Sequence, residues 1–259
     1  MKSLKTLRFT LVASIALLAT TACATVASAQ TSRTTVLLVH GAWADASSWS
    51  KVIPRLVAAR IDVVAVNLPL TSLADDVAAT ERAIALVNGP VLLVGHSYGG
   101  AVITEAGNDP KVVGLVFVAA YAPDRGESSL SLATANPTPI GAEIRPDANG
   151  FLKLTAKGIS DDFGQDLSNA EKTVLIATQG PTAGGALGTP ATNPSWKDKP
   201  SWFVIAANDR TVSPELEATE ATRMNATTIT VPTSHLAMLA EPERVAMFIK
   251  MAAERATDK

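Results

Sequence analysis

The chain has 259 residues, of which 47% are apolar and 18% charged, and its net charge at pH 7 is -2. This balance is typical of a globular protein and excludes a disordered chain, a collagen and a coiled coil. Lys and Arg form no cluster, so a nucleic-acid partner is not expected. One large α/β domain and two smaller domains are both compatible with this length.

Residues 1–29 have the pattern of a secretory signal peptide. A positively charged start precedes an uncharged apolar run over 9–19, and the small residues at 27 and 29 fit a cleavage site before Gln30. The apolar run is much shorter than the ~20 residues that a membrane span needs. We therefore predict export to the periplasm or the medium, with no stable membrane span after cleavage.

The single cysteine, Cys23, lies within this segment. If the segment is removed, the remaining chain has no cysteine and tolerates an oxidising compartment without a disulfide. The alternative is cleavage directly before Cys23 and lipidation of that residue, although Thr20 occupies the position where such signals usually carry Leu.

Short apolar runs alternate with amphipathic stretches along the rest of the chain, as is typical of parallel strands that are buried on both faces. The predicted strands are 35–39, 62–66, 91–94, 112–119, 202–206 and 227–231, and the predicted helices are 48–60, 74–87, 100–108, 214–224 and 241–255. This order predicts one doubly wound α/β domain over 30–259, with a mostly parallel sheet of about six strands.

The alternation breaks between 123 and 200. This segment holds eight of the fifteen prolines and one convincing helical pattern, over 168–178. Because so long an insertion in a compact domain usually carries a function, we predict that it forms a lid or cap over the site. A poorly ordered surface excursion is the alternative.

The motif Gly-His-Ser-Tyr-Gly-Gly at 95–100 lies between a predicted strand and a predicted helix. A serine on such a sharp turn needs a strained backbone, and small residues two positions before and after it let neighbouring segments approach. Ser97 is therefore the candidate nucleophile. An ordinary Gly-rich turn is the alternative.

A serine nucleophile needs a base, which is nearly always a histidine. His96 adjoins Ser97 and is expected to point elsewhere, while His40 ends the first predicted strand. His235 follows the last predicted strand, where a loop can bring its imidazole over the serine at the carboxyl edge of the sheet. His235 is the predicted base, and a structural histidine is the alternative.

The base needs a carboxylate that orients it and stabilises its cation. Asp209 follows the strand over 202–206 and gives the chain order Ser, Asp, His. Asp124 follows the strand over 112–119 and reaches the same edge of the sheet. We favour Asp209 and keep Asp124 as the rival; a helix cap or a solvated loop residue is the alternative for both.

Acyl transfer also needs fixed donors for the oxyanion. The predicted donors are the backbone N–H groups of Ala42, which follows the first strand, and of Tyr98, which follows the nucleophile. Trp43 is a candidate substrate-binding residue, and a buried packing tryptophan is equally compatible with the pattern. The sequence has no metal-binding or cofactor-binding motif, so we expect the chemistry to come from side chains and water.

Together these motifs resemble the α/β-hydrolase superfamily. The resemblance runs from about 34 to 253 and rests on four segments, 37–43, 95–100, 206–210 and 234–239. Within the superfamily, the chain is similar to the branch that contains plant methylesterases and hydroxynitrile lyases, and to small bacterial esterases. The resemblance implies hydrolysis of a small-molecule carboxylic ester by the triad Ser97, Asp209 and His235.

Two departures from that branch argue against a hydroxynitrile lyase. The lyases resemble one another in carrying Thr where this chain has Gly41 and Lys where it has Leu236, so cyanohydrin cleavage is not expected. Amidase, perhydrolase or other lyase chemistry, or a ligand-binding protein without catalysis, are the alternatives because fold and triad do not fix the substrate. The sequence carries no signal for the oligomeric state.

Overall fold

The computed structural model of the protein describes residues 33–256. The predicted signal peptide, its cleavage site and Cys23 lie outside the described residues and stay predictions. Within the described part of the chain, no helix combines the length and the apolar character that crossing a membrane requires.

The main sheet consists of the strands β1 (Thr35–Val39), β2 (Asp62–Val66), β3 (Val91–His96), β4 (Val112–Val118), β8 (Ser201–Ala206) and β9 (Thr227–Val231). Their order across the sheet is β2-β1-β3-β4-β8-β9, and every pairing is parallel. The predicted doubly wound sheet of about six strands is confirmed. Strand β3 extends two residues beyond its predicted end because Gly95 and His96 still pair with β4.

Helices connect the strands and flank the sheet. They are α1 (Ile53–Ala58), α2 (Leu73–Ala85), α3 (Gly99–Ala106), α4 (Ser129–Ala135), α5 (Ala156–Gly158), α6 (Asn169–Thr178), α7 (Gly184–Gly188), α8 (Pro214–Arg223), α9 (Ala237–Ala240) and α10 (Pro242–Arg255). Helix α10 buries one apolar stripe, as its amphipathic pattern predicts. The stripe includes Val245, Phe248, Ile249 and Ala252.

The predicted helix over 48–60 is wrong as a single element. The chain forms a short 3-10 helix, Ala46–Trp49, and then α1, Ile53–Ala58. Asp45 caps the N-terminus of the 3-10 helix, where its side chain accepts a hydrogen bond from the Ser47 N–H at 2.7 Å. Pro54 lies in the first turn of α1, where its missing N–H leaves no helical hydrogen bond unmade, so it starts a helix and does not continue one.

The segment 123–200 holds more structure than its sequence pattern predicts. The helix expected over 168–178 is present as α6, but α4, α5 and α7 accompany it. Three short strands, β5 (Ile144–Pro146), β6 (Phe151–Leu154) and β7 (Thr182–Ala183), form a separate antiparallel sheet. The function of this segment as a lid stays a prediction.

Because all six strands of the main sheet run in the same direction, their carboxyl ends meet at one edge, where open α/β sheets place their sites. Ala42 follows β1, Ser97 follows β3, Asp209 follows β8 and His235 follows β9. Residues that are far apart in sequence are thereby brought to one edge of the sheet.

Candidate active site

Ser97 lies on a strained turn between β3 and α3. Its φ is 55°, a left-handed conformation that non-glycine residues rarely adopt and that is concentrated at functional sites. The turn is held by hydrogen bonds from the Ser97 N–H to the Val118 carbonyl at 3.3 Å and from the Tyr121 N–H to the Ser97 carbonyl at 3.2 Å. A Cβ atom at Gly95 would lie 2.5 Å from a backbone oxygen of α3, so only glycine fits before the turn.

His235 and Asp209 form a buried pair. Nδ1 of His235 donates a hydrogen bond to Oδ2 of Asp209 at 2.6 Å, and neither side chain is exposed. The other oxygen of Asp209 accepts hydrogen bonds from the N–H groups of Thr211 at 2.7 Å and Val212 at 3.0 Å. These three bonds fix the carboxylate and orient the ring.

Nε2 of His235 is buried and has no hydrogen-bond partner among residues 33–256, the Ser97 hydroxyl included. With Nδ1 bonded to a carboxylate, Nε2 is the nitrogen that is free to accept a proton. Triad contacts are often looser in structures without substrate and tighten when it binds.

Asp124 does not reach this pair. Its carboxylate forms an ion pair with Lys197 at 2.5 Å and accepts the N–H of Arg125 at 2.6 Å. The hydrogen bond from Lys197 holds the pKa of Asp124 below its ordinary value. The structure therefore brings Asp209, and not its rival, to His235.

The other two histidines have different contacts. His40 donates from Nδ1 to the Gly41 carbonyl at 2.8 Å and accepts the Leu68 N–H on Nε2 at 2.9 Å. His96 donates from Nε2 to the carbonyl oxygen of His235 at 3.0 Å, and the two rings lie 4.5 Å apart. Burial holds the pKa of His96 well below its ordinary value, so this ring is neutral and supports the loop of His235, a contact that sequence analysis missed.

Ala42 and Tyr98 line the same cavity as Ser97. Among the described residues, neither group donates a hydrogen bond. A Cβ atom at Gly41 would lie 2.6 Å from Cβ of Ser97, so glycine lets the loop after β1 approach the serine. The role of these two N–H groups as oxyanion donors stays a prediction.

A buried hydrogen bond also anchors the side chain of Tyr98. Its hydroxyl donates to Oδ2 of Asp76 at 2.7 Å, and Oδ1 of Asp76 accepts the Leu70 N–H at 2.7 Å. Burial raises the pKa of both Asp76 and Tyr98. Sequence analysis missed Asp76. The available signal was a carboxylate at helical spacing from Leu73, Thr80 and Ile84, which form the rest of the buried face of α2.

The cavity beside Ser97 has a volume of about 310 Å³. Most of its lining residues belong to the segment 123–200. The lining consists of Ala42, Trp43, Ser97, Tyr98, Tyr121, Ser129, Leu130, Ala133, Thr134, Pro137, Thr138, Ile140, Gly141, Ile144, Leu187 and Thr211. None of these described lining residues is charged, and no grouping of three potential metal ligands occurs within residues 33–256.

Trp43 forms part of the cavity wall. Its indole N–H donates to the Leu152 carbonyl at 3.0 Å and its backbone N–H to Oγ1 of Thr182 at 3.1 Å. Its ring packs edge-on against Phe163, with the ring centres 6.4 Å apart, and Phe163 in turn packs against His235. Trp43 is therefore both a packed residue and a surface that a substrate in the cavity would contact.

Helix α8, which follows Asp209, carries the buried carboxyl group of Glu220. Burial raises the pKa of Glu220 from 4.5 to about 8, although Arg223 lies 3.8 Å away and lowers it. Because the folded protein binds this proton more tightly than the unfolded chain, the stabilising contribution is complete below pH 4.5 and is lost as the pH rises through about 8.

We expect Glu220→Gln to flatten the decline of the free energy of unfolding with pH in this window. The ionisable glutamate contributes a slope of at most about 1.4 kcal/mol per pH unit, whereas glutamine does not titrate. Urea denaturation of wild type and variant from pH 5 to pH 8 measures the slopes. Glu215→Gln, an exposed position on the same helix, is the control. Equal slopes for wild type and Glu220→Gln would contradict the raised pKa.

Comparison with known proteins identifies the family. The sequence profile of the alpha/beta hydrolase family matches residues 36–248. The alpha/beta hydrolase nvfD of Aspergillus novofumigatus (strain IBT 16806) is 26% identical over 245 residues, which cover 86% of this chain and 98% of that protein.

Two solved structures share the fold. A pyrethroid hydrolase from Sphingobium faniae JZ-2 superimposes with a TM-score of 0.75 at 21% identity, over 86% of this chain and 98% of the other. Polyneuridine aldehyde esterase gives a TM-score of 0.74 at 18% identity, over 85% and 100% of the two chains. The profile match over most of the chain confirms the resemblance that the motifs predicted, and the protein belongs to the alpha/beta hydrolase family.

Proposed function

We propose that the protein is a serine esterase that hydrolyses carboxylic esters with small to medium, apolar acyl or aryl groups. The observation that carries the proposal is the buried His235–Asp209 hydrogen bond, which leaves Nε2 of His235 free. His235 also contacts His96, the residue before Ser97. The names of two structural neighbours, a hydrolase and an esterase, agree with this chemistry.

In the first half of the reaction, Oγ of Ser97 attacks the carbonyl carbon of the ester while Nε2 of His235 takes the hydroxyl proton. The carbonyl oxygen becomes negatively charged and accepts hydrogen bonds from the N–H groups of Ala42 and Tyr98. When the tetrahedral intermediate collapses, the carbon–oxygen bond to the alcohol breaks and His235 returns the proton to the leaving oxygen. The products are a free alcohol and an acyl group on Ser97.

In the second half, water replaces the alcohol. His235 takes a proton from the water, whose oxygen attacks the acyl carbon, and the same two N–H groups hold the oxyanion. Collapse breaks the bond to Oγ of Ser97, which regains its proton from His235. Asp209 stays ionised throughout and stabilises the imidazolium that forms in each half.

A fluorophosphonate probe tests the nucleophile directly. It phosphonylates serines that an adjacent base activates, so we expect one label per chain, and peptide mass spectrometry should place it on Ser97. Turnover of p-nitrophenyl esters of increasing acyl length then tests the activity, with the highest kcat/KM on short to medium chains. A folded protein that is neither labelled nor active on any ester would leave a ligand-binding function as the alternative.

The uncharged lining of the cavity predicts discrimination against anionic acyl groups. We expect kcat/KM for the p-nitrophenyl half ester of adipate to be at least ~10²-fold below that for p-nitrophenyl hexanoate, because a carboxylate would be buried without a partner. The two esters have acyl chains of equal length, and their spontaneous hydrolysis is subtracted. Similar kcat/KM values would show that the acyl group does not enter this cavity.

We also propose that the esterase is exported and that the segment 123–200 shapes access to the site. The signal pattern of residues 1–29 supports export, and N-terminal sequencing of protein from the periplasm or the medium tests it. A mature chain that begins at Gln30 is expected, whereas a lipid-modified Cys23 would support the alternative. The residues that this segment contributes to the cavity wall support the second proposal.

A further inference from the structure

Helix α8 places a second carboxyl group against Asp209. Glu217 lies in the first turn of α8 and is completely buried. Its Oε2 accepts the N–H of Ala206, the last residue of β8, at 2.9 Å. Its Oε1 receives no N–H or O–H from the described residues, and the carboxyl group of Asp209 is close enough to raise its pKa through charge and hydrogen bonding.

A hydrogen bond between the two groups requires a proton, because two carboxylates both accept hydrogen bonds and neither donates. Asp209 already accepts three N–H groups, those of Thr211, Val212 and His235. Glu217 accepts only one. Hydrogen bonds to the charged form favour that form, so the negative charge belongs on Asp209 and the proton on Glu217.

The surroundings of Glu217 favour the same state. Asp209, Glu220 on the same helix and Tyr121 after β4 interact electrostatically with it, and none of these three is a cation. Arg223, the arginine of α8, forms its ion pairs with Glu127 and Glu220. Burial and the charge of Asp209 hold the pKa of Glu217 well above its ordinary value.

We propose that Glu217 is a positioning residue for Asp209: its protonated carboxyl group donates a hydrogen bond to the Asp209 carboxylate and holds it toward His235. The role rests on the proposed function, in which Asp209 orients the base. An Asp209 that is fixed in this way keeps Nδ1 of His235 protonated and leaves Nε2 as the base. Glu217 at the start of α8 thus connects Ala206 at the end of β8 with Asp209 in the site.

Two substitutions at Glu217 separate this role from a simple packing role. Leucine fills a similar volume but cannot donate, whereas the amide of glutamine can donate to Asp209 and accept from Ala206. We expect Glu217→Leu to lower kcat about tenfold or more with KM unchanged, a loss comparable to that for partners that orient metal ligands. Glu217→Gln should retain most of the activity. The matched control is Glu220→Gln, a buried position on the same helix.

A spectroscopic measurement tests whether Glu217 positions Asp209 and does not depend on enzymatic activity. The low-field proton resonance of His235 Nδ1–H, assigned by its loss in His235→Gln, should shift in Glu217→Leu and stay near its wild-type position in Glu217→Gln and Glu220→Gln. An unchanged resonance in a folded Glu217→Leu protein would overturn the proposal. If the wild type hydrolyses no ester, the proposed function fails, but the resonance still shows whether Glu217 acts on Asp209.

Circular dichroism checks that each variant folds. If Glu217→Leu does not fold, infrared spectroscopy of wild type and Glu217→Gln at pH 7 replaces the resonance measurement. The carbonyl stretch of a protonated carboxylic acid is separate from that of a carboxylate, and Glu217→Gln should remove one such band. If the substitution instead removes a carboxylate band, Glu217 is ionised in the wild type and the proposal is wrong.

Discussion

Replacement of Ser97 by alanine is expected to lower kcat for a p-nitrophenyl ester at least ~10³-fold. Without Oγ, no acyl-enzyme forms, and the residual rate comes from water held by His235 and the N–H groups of Ala42 and Tyr98. The strained backbone at position 97 tolerates alanine as well as it tolerates serine, since φ is set by the turn and not by the hydroxyl. Steady-state kinetics with equal amounts of folded protein measure the loss.

Ser129→Ala is the matched control. Ser129 lines the same cavity, and its hydroxyl is buried without a hydrogen-bond partner among the described residues, so we expect kcat to stay within a few-fold of wild type. If Ser97→Ala keeps most of the wild-type kcat, the nucleophile assignment is wrong. A large loss in both variants would instead indicate that the cavity is sensitive to any missing hydroxyl.

Asp209→Asn should lower kcat by about 10⁴-fold, because an amide donates to Nδ1 of His235 and leaves the proton on Nε2, the wrong nitrogen for a base. The side chain is buried and shape is conserved, so the loss should appear in kcat with the protein still folded. Circular dichroism and a pH-rate profile accompany the kinetics. Activity within tenfold of wild type would mean that another group orients His235.

Asp124→Asn provides the comparison. Its carboxylate is engaged by Lys197 and by the N–H of Arg125, so its loss removes one partly exposed ion pair and should leave kcat within a few-fold of wild type. A large loss of kcat in Asp124→Asn with little change in Asp209→Asn would instead assign Asp124 as the carboxylate that orients His235. The two variants together therefore test which aspartate has this role, a choice that the sequence left open.

The central strands were predictable because each is a short, buried apolar run with turn residues on both sides. The expectation of burial on both faces is wrong for the edge strands β2 and β9, which are exposed or half-buried over most of their length. β1, β2 and β9 have the predicted bounds, and the order of strands and helices predicted the doubly wound sheet. The helix over 48–60 was predicted wrongly because an amphipathic pattern continues across the break between Trp49 and Ile53. The strands β5, β6 and β7 have three, four and two residues, too few for an alternating pattern to emerge.

The sequence by itself determined the succession of strands and helices along the chain and the candidates Ser97, Asp209 and His235. Apolar runs, the glycine spacing around Ser97 and the chain order of the candidates can all be read without knowing which residues are close in space. Tertiary structure decided what depends on proximity: Asp209 bonds to His235 while Asp124 pairs with Lys197. It also buried Glu217 beside the end of β8, within electrostatic reach of Asp209, although three glutamates in α8 look like a solvent-facing pattern in sequence. Two carboxyl groups meet there only because α8 folds back on the end of β8, and no local pattern records that contact.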